Sequence, residues 1–283
     1  MADVPSGPIP PPPPPPEGTP PGPGSLRPRT LGEILSAAFE IYKNNAQGLI
    51  VIVAIIVVPL TLLSSLIVHW VASTSTTTVH TSGNFTYTTT TPSGSGWIGG
   101  IIVVAVSLIL PALLQAAIVR AAAQGSIGDP VDVESSYQYG LRRFGSVLLV
   151  TILYALAVVI GFILLFVPGV IALVFFGVSI PVLVIENKRG TQAMGRSWNL
   201  VSGHFWHAFG VLIVTFLIVA VVGGLLGAIG GSNWVLRWIF NAIAQIITAP
   251  FSAVVGVLLY LDLRARKEAL TTEVLRTELA SGM

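Results

Sequence analysis

Charged side chains are scarce in this sequence: they make up 9% of the 283 residues, whereas apolar residues make up 53%. An ordinary soluble domain carries roughly 25% charged residues. A water-soluble protein of this length must cover its surface with polar groups, so the deficit excludes an ordinary soluble globule and predicts a membrane protein. The net charge of +2 gives no reason to expect a nucleic-acid partner.

Cysteine is absent altogether, which excludes disulfides, thiolate metal sites and a cysteine nucleophile. The sequence also lacks an HExxH motif, paired carboxylates and a nucleophile elbow. We therefore expect no enzymatic activity, no metal and no cofactor. The first thirty residues lack the basic and then apolar pattern of a secretory signal peptide, so none is expected.

The N-terminal segment, residues 1–28, is rich in proline and contains an unbroken run from Pro10 to Pro16. Such a composition predicts a disordered arm of extended polyproline or irregular structure, on the cytoplasmic side. Two interpretations are open, a spacer or a ligand for a proline-binding groove, and the composition favours the spacer.

Six apolar stretches are long enough to cross ~30 Å of hydrocarbon, which takes about 20 helical residues. They are 48–71, 97–119, 146–166, 169–185, 208–230 and 238–261. This pattern predicts an all-α fold, a polytopic transmembrane helical bundle over residues 29–270, followed by a cytoplasmic tail at 271–283. The sequence Val167-Pro168-Gly169 predicts a tight reversal between the third and fourth spans.

The basic residues are distributed very unevenly over this six-span topology. Thirteen of the 14 Lys and Arg residues fall on one side, and only Arg237 falls on the other. Because basic loops stay in the cytoplasm, the protein is predicted to lie in the plasma membrane with both termini cytoplasmic. The uncharged stretch from Ser73 to Gly96 is then predicted to be a mobile outer loop.

Short amphipathic segments precede the first, third and fifth spans. The first begins at Thr30, which forms a capping box with Glu33. The second begins at Asp129, a predicted cap, with Pro130 in the first turn. The third runs over 191–206. Helices of this kind lie in the headgroup plane, so three interfacial helices are predicted on the cytoplasmic side.

Two groups of side chains in these segments are candidates for function. His204 and His207 lie near no acidic residue in the sequence, and we expect them to pack at the interface rather than to perform catalysis. Eight basic residues would bind anionic lipid headgroups at ~1 kcal/mol each, or else only set the topology. They are Arg142, Arg143, Lys188, Arg189, Arg196, Arg264, Arg266 and Lys267.

Polar residues also follow one face of the last span. We call this set the polar face; it comprises Arg237, Asn241, Gln245, Thr248 and Ser252, with Gln115 from the second span. Hydrogen bonds between helices, each of about 0.6–2 kcal/mol, are the favoured interpretation. The alternative is the lining of a conduit or lipid groove. No span has an ionisable residue at mid-depth, which counts against an ion-coupled pump.

Three blocks, Arg27 to Asn45, Val182 to Leu212 and Leu258 to Leu270, resemble a known bacterial family. The chain is similar over residues 27–270 to multi-span proteins named after the membrane domain of glycerophosphoryl diester phosphodiesterase, and to related six-span families of unknown function. The resemblance implies fold and location. It implies no catalytic residue, because the family's phosphodiesterase chemistry belongs to a separate soluble domain that nothing in this chain resembles.

Together these patterns favour a non-catalytic accessory domain that binds lipid or partner proteins at its cytoplasmic face. The expected partners are membrane lipids, other membrane proteins or a second copy of the chain. The alternative is a permease or channel for a small or amphipathic solute. A water-accessible cavity against the polar face would favour the permease, and a dry bundle would not.

Overall fold

The computed structural model describes residues 27–82, 85–91, 94–231, 233–268 and 270–281, so nearly all of the predicted proline-rich arm lies outside the described residues. Within those ranges the chain forms ten helices and one β-hairpin. They are α1 (Leu31–Asn44), α2 (Ala46–Thr74), β1 (Thr76–Ser82), β2 (Phe85–Thr91), α3 (Gly94–Ser126), α4 (Val133–Leu164), α5 (Phe166–Phe175), α6 (Ser179–Ile185), α7 (Thr191–Val201), α8 (Phe205–Ile229), α9 (Trp234–Lys267) and α10 (Thr272–Ser281).

The structure confirms helices suited to a membrane. Five segments of the described residues are long and apolar enough to cross a bilayer: Ala46–Thr74, Val133–Leu164, Phe166–Ile185, Phe205–Ile229 and Trp234–Lys267. Helix α3, which contains the predicted span 97–119, is not among those five but is a continuous helix of 33 residues.

The β-hairpin occupies the segment that the sequence analysis assigned to a loop. Strands β1 and β2 are antiparallel, with Thr76 opposite Thr91 and Ser82 opposite Phe85. The loop prediction is therefore wrong for these strands. Threonine and valine are favoured in strands because branching at Cβ suits a pleated backbone, and β1 is made largely of such residues. We call this end of the bundle the hairpin end.

The reversal between the third and fourth spans comes slightly earlier than predicted. Helix α4 ends at Leu164, Leu165 is extended (φ −168°, ψ 158°), and α5 begins at Phe166. Pro168 thus lies in the first turn of α5, where a missing N–H breaks no helical hydrogen bond. A Cβ on Gly161 would lie 2.8 Å from Cα of Gly169, so the close approach of the two helices requires glycine.

The segments that precede the spans differ from one another in structure. The capping box of α1 is confirmed: the Thr30 N–H donates to Oε2 of Glu33 (2.7 Å), and the Glu33 N–H donates to Oγ1 of Thr30 (3.4 Å). The second segment is not a separate helix, because α4 runs unbroken from Val133 and is capped by Asp132 rather than Asp129. Only α1 and α7 are separate helices, so the prediction of three interfacial helices is not confirmed.

Packing is densest at the end opposite the hairpin, which we call the charged end. There α9 is buried almost continuously from Val254 to Arg264. The predicted tail forms α10, whose Leu275 and Leu279 join the buried core. Near the hairpin end the same helix exposes Arg237, Asn241 and Gln245, and this difference in packing along α9 places the candidate site.

Candidate functional site

A cavity of about 600 Å³ lies between α2 and α9 at the hairpin end. Its lining combines hydroxyl, amide, imidazole, guanidinium and aromatic groups with aliphatic side chains. The lining residues are Leu60, Thr61, Ser64, Ser65, Val68, His69, Ala72, Pro111, Trp234, Arg237, Trp238, Asn241 and Gln245.

Helix α9 presents three polar side chains to this cavity at helical spacing. Helix α9 contributes Arg237, Asn241 and Gln245, and all three side chains are exposed. Within the described part of the chain, Asn241 and Gln245 make no side-chain hydrogen bond. Hydrogen bonding between helices therefore does not account for these two amides, and they are available to water or a solute.

Aromatic side chains that line the cavity join α2 to α9. The indole Nε1–H of Trp238 donates to Oγ1 of Thr61 (3.0 Å), which joins the two helices directly. The imidazole of His69 stacks on Trp234 with ring centroids 5.0 Å apart. Arg237 donates from Nη2 to the carbonyl of Gly231 (3.1 Å), which anchors the guanidinium beside the α8–α9 turn.

A second cavity of about 310 Å³ continues the polar lining toward the middle of the bundle. Its walls include Gln115, Gln245 and Ser252, and it shares Leu60, Pro111 and Gln245 with the first cavity. The two cavities therefore adjoin. Five of the six residues of the polar face line one or both of them.

Thr248 is the exception. Its hydroxyl donates to the carbonyl of Ala244 (2.7 Å), and the residue lines a separate apolar pocket of about 550 Å³ between α1, α8 and α9. Spacing along the helix placed it on the polar face, but its hydroxyl is satisfied by its own backbone.

The charged end assembles ionic groups from distant parts of the chain. Arg264 donates to both carboxylate oxygens of Glu278 (2.6 and 3.1 Å) and to Glu268 (3.1 Å). Arg196 donates to Glu186 (3.0 Å) and also pairs with Glu268. Tyr260 joins the two halves, since its hydroxyl donates to Glu186 (3.1 Å) and accepts from Arg264 (2.9 Å).

Contacts within this network shift the pKa values of Arg196 and Glu268, which lie outside the candidate spans. Burial lowers the pKa of Arg196, but hydrogen bonds to Glu268 and Glu186 outweigh burial and raise it. Burial raises the pKa of Glu268, but hydrogen bonds from Arg196 and Arg264 outweigh burial and hold it below the usual range. Both groups are therefore charged at neutral pH.

Asp262 forms a neighbouring cluster. Its carboxylate has no exposed surface, and it accepts from the backbone N–H of Arg29 (2.5 Å) and from Nε of Arg266 (2.8 Å). Nε2 of His207 lies 3.0 Å from Oδ2 of Asp262, within ion-pair distance although no hydrogen bond is formed. The expectation that His207 lacks an acidic neighbour is thus wrong. Burial, with Arg266 and Lys267 nearby, lowers the pKa of His204.

These contacts involve most of the eight predicted lipid-binding cations. Lys188, Arg196, Arg264 and Arg266 pair with carboxylates of the protein, and Lys267 donates to the carbonyl of Asn199. Arg142 and Arg189 are exposed and Arg143 is partly exposed. The binding of headgroups by any of the eight stays a prediction.

The α2 side of the cavity was not predicted from the sequence. Thr61, Ser64, Ser65 and His69 recur at spacings of three, one and four, which indicates a second polar helical face. A structural role for Arg120 was not predicted either: this residue is buried, stacks on the ring of Tyr139 at 4.6 Å and donates to the carbonyl of Leu279. In the ranges that the structure describes, no three His, Asp or Glu side chains are placed to hold a metal ion.

No family model, curated protein or solved structure matches this chain. The resemblance to the phosphodiesterase membrane domain therefore stays a prediction from the sequence.

Proposed function

We propose that this chain is a non-catalytic membrane protein that binds a small or amphipathic solute in the cavity between α2 and α9, and that it serves as a permease or channel. One observation carries the proposal: Asn241 and Gln245 lie well inside a long apolar helix, yet both are exposed in a cavity of about 600 Å³. Amides that make no hydrogen bond are costly inside the hydrocarbon layer, whereas in a water-accessible cavity they can be solvated or bind a solute.

The depth of the lining supports a route rather than a surface groove. Gln245 is eight residues beyond Arg237, about 12 Å along the helix axis, and Ser252 lies about 10 Å further. Because the two cavities adjoin at Gln245, polar lining extends over roughly two thirds of the ~30 Å of hydrocarbon.

The proposal includes six spans, with α3 as the sixth, and both termini in the cytoplasm. Helix α3 begins beside the hairpin, and its Arg120 contacts Leu279 of α10 at the charged end, so the helix connects the two ends of the bundle. The charged end carries nearly all the cations, which fits a cytoplasmic location.

Cysteine accessibility tests the cavity directly, because the chain has no native cysteine. Asn241→Cys and Gln245→Cys in liposomes should react rapidly with a charged, water-soluble thiol reagent. Ile243→Cys is the matched control: it lies at the same depth, is 38% exposed, and is absent from the cavity lining, so lipid should shield it. If all three cysteines react equally slowly, the cavity is dry and the proposal fails.

Topology is tested in the same way. Thr88→Cys in β2 should react in intact cells, and Val274→Cys in α10 only after permeabilisation, because both positions are exposed at opposite ends of the bundle. Labelling of both positions from the same side would contradict the six-span topology.

A second candidate function rests on the surface near the charged end. Phe39, Trp198 and Trp206 are exposed there, close in sequence to the exposed cations Lys43 and Arg189. Exposed aromatic and basic side chains in the same segments are typical of a membrane interface. An accessory domain that binds lipid or partner proteins would use this surface, and salt-independent binding to anionic liposomes would count against lipid recognition.

A further inference from the structure

The charges around the cavity identify the class of solute. Resting on the proposed solute-binding function, we propose that the occupant is an anionic amphiphile whose carboxylate or phosphate contacts Arg237 and whose apolar body lies between α2 and α9.

The segments that line the cavity contain no acidic residue. The sequence has no Asp or Glu at 41–128, 135–185 or 187–261. Every residue that lines the cavity falls within these ranges. Arg237 is the one Lys or Arg among the lining residues. A cation that faces a cavity without a carboxylate attracts an anion from outside the protein.

Arg237 has hydrogen-bonding capacity that the described part of the protein does not use. A guanidinium has five N–H donors. Within the described residues this side chain makes a hydrogen bond to the carbonyl of Gly231 and to no other acceptor. That bond anchors one edge of the group and leaves a planar set of donors, which suits bidentate recognition of a carboxylate or phosphate.

Neighbouring groups add donors and positive potential. Ser64, Ser65 and His69 on α2, with Asn241 on α9, supply hydroxyl, imidazole and amide groups. The N-terminus of α9, capped by Asn233 (2.9 Å to the Val235 N–H), lies beside the cavity, and the positive end of a helix dipole also favours an anion.

The remaining lining explains why the solute should be amphipathic. Leu60, Val68 and Ala72 on α2, together with the rings of Trp234 and Trp238, form an apolar wall. Pockets of this composition bind ligands largely by apolar burial, with a few polar groups that fix orientation. A bare anion would leave this wall in contact with water.

Quenching of tryptophan fluorescence by brominated probes tests the inference in nanodiscs of zwitterionic lipid. The probes share one chain length: bromododecanoate, bromododecanol and bromododecyltrimethylammonium. We expect saturable quenching by the carboxylate at a Kd about tenfold or more below that of the alcohol, because charge-assisted hydrogen bonds are the strong ones. The cationic probe should bind most weakly. Trp234→Phe should remove much of the saturable signal.

Two substitutions separate the anion site from general binding. Arg237→Gln should abolish the preference for carboxylate over alcohol, while Arg237→Lys should retain part of it. Arg276→Gln replaces an exposed cation of α10 at the charged end that belongs to neither candidate binding surface; it is the matched control and should change neither affinity. Equal affinities for carboxylate and alcohol, unaffected by Arg237→Gln, would overturn the anion inference.

Further arms separate the possible failures. If alcohol and carboxylate bind equally and Asn241→Leu/Gln245→Leu abolishes both, the solute cavity stands and the anion assignment fails. If no probe gives saturable quenching, the inference is overturned, and the reactivity of Asn241→Cys decides the proposed function independently. Inorganic phosphate that displaced the carboxylate probe at equal concentration would refute the amphipathic part. Displacement by phosphatidylglycerol in the nanodisc would identify the source as a lipid headgroup.

Discussion

Removal of Arg264 should destabilise the protein more than removal of any exposed cation. Its side chain is 7% exposed and contacts Glu278, Glu268 and Tyr260. Arg264→Met preserves the length of the side chain and its apolar contacts. It removes the hydrogen bonds that Arg264 donates to Glu278 and Glu268. Loss of one member of a buried ion pair typically costs about 3–5 kcal/mol, because the remaining charge stays desolvated without compensation.

A matched control lies on α10 itself. Arg276 pairs with Asp129 at 3.3 Å, but these side chains are 58% and 44% exposed. Water and salt screen such a pair, so Arg276→Met should cost less than about 1 kcal/mol. The contrast between two arginines that hold the same helix isolates the effect of burial from the effect of charge.

The assay is unfolding in mixed micelles by titration with sodium dodecyl sulfate, followed by tryptophan fluorescence at pH 7. If Arg264→Met does not fold, Glu278→Gln provides a milder perturbation, and we expect about 1.5–3 kcal/mol for the loss of its charged hydrogen bonds. In a double-mutant cycle the two substitutions should couple by about 0.5–3 kcal/mol. A cost for Arg264→Met equal to that for Arg276→Met would refute the reasoning.

Three other changes have defined outcomes in the same unfolding assay. Asn241→Leu/Gln245→Leu should change the free energy of unfolding by less than about 1 kcal/mol, since neither amide makes a side-chain hydrogen bond to another described residue; a loss of about 2–4 kcal/mol would restore the interhelical interpretation. The folded pKa of Glu268 is below its ordinary value of 4.5, so its contribution is complete above that pH and is lost as the pH falls through the folded pKa. Unfolding free energy measured from pH 7 to 3 should decline below about 4.5, less steeply in Glu268→Gln; identical profiles would contradict this. Gly161→Ala should cost about 1–3 kcal/mol, because its Cβ would meet the backbone of Gly169, while Gly223→Ala, which has open space, should be neutral or stabilising.

The helices of this fold follow from the sequence because bilayer thickness fixes the length of a span. An apolar run such as 208–230 meets that length whatever its neighbours are, and the structure places it in α8. The polar face of α9 was equally predictable from the sequence, since spacings of four and three residues place side chains on one side of any helix. Local rules of this kind predicted the capping box at Thr30 as well.

Contacts between residues distant in sequence could not be predicted in the same way. Glu186, Arg196 and Glu268 belong to three different segments, and nothing in their local patterns selects one pairing among the many charges at that end. The start of α4 shows a different limit: Asp129 and Asp132 are both competent caps, and only the packed structure selects Asp132. Hydroxyl groups are a third limit on prediction. Thr248 donates its hydroxyl to the backbone of its own helix instead of facing the cavity.

The division of charge between the two ends links the fold to the proposed function. Outside the N-terminal arm, acidic residues occur only in segments of the charged end, so every ion pair between side chains of the described residues forms away from the cavity. The charged end thus fastens α7, α9 and α10 together through Glu186, Arg264 and Glu278 without placing a carboxylate near Arg237. A carboxylate within reach of Arg237 would neutralise it and compete with an anionic solute. The same asymmetry from which the orientation in the membrane is predicted therefore keeps a cation available at the hairpin end, where the helices are less tightly packed and a cavity is open.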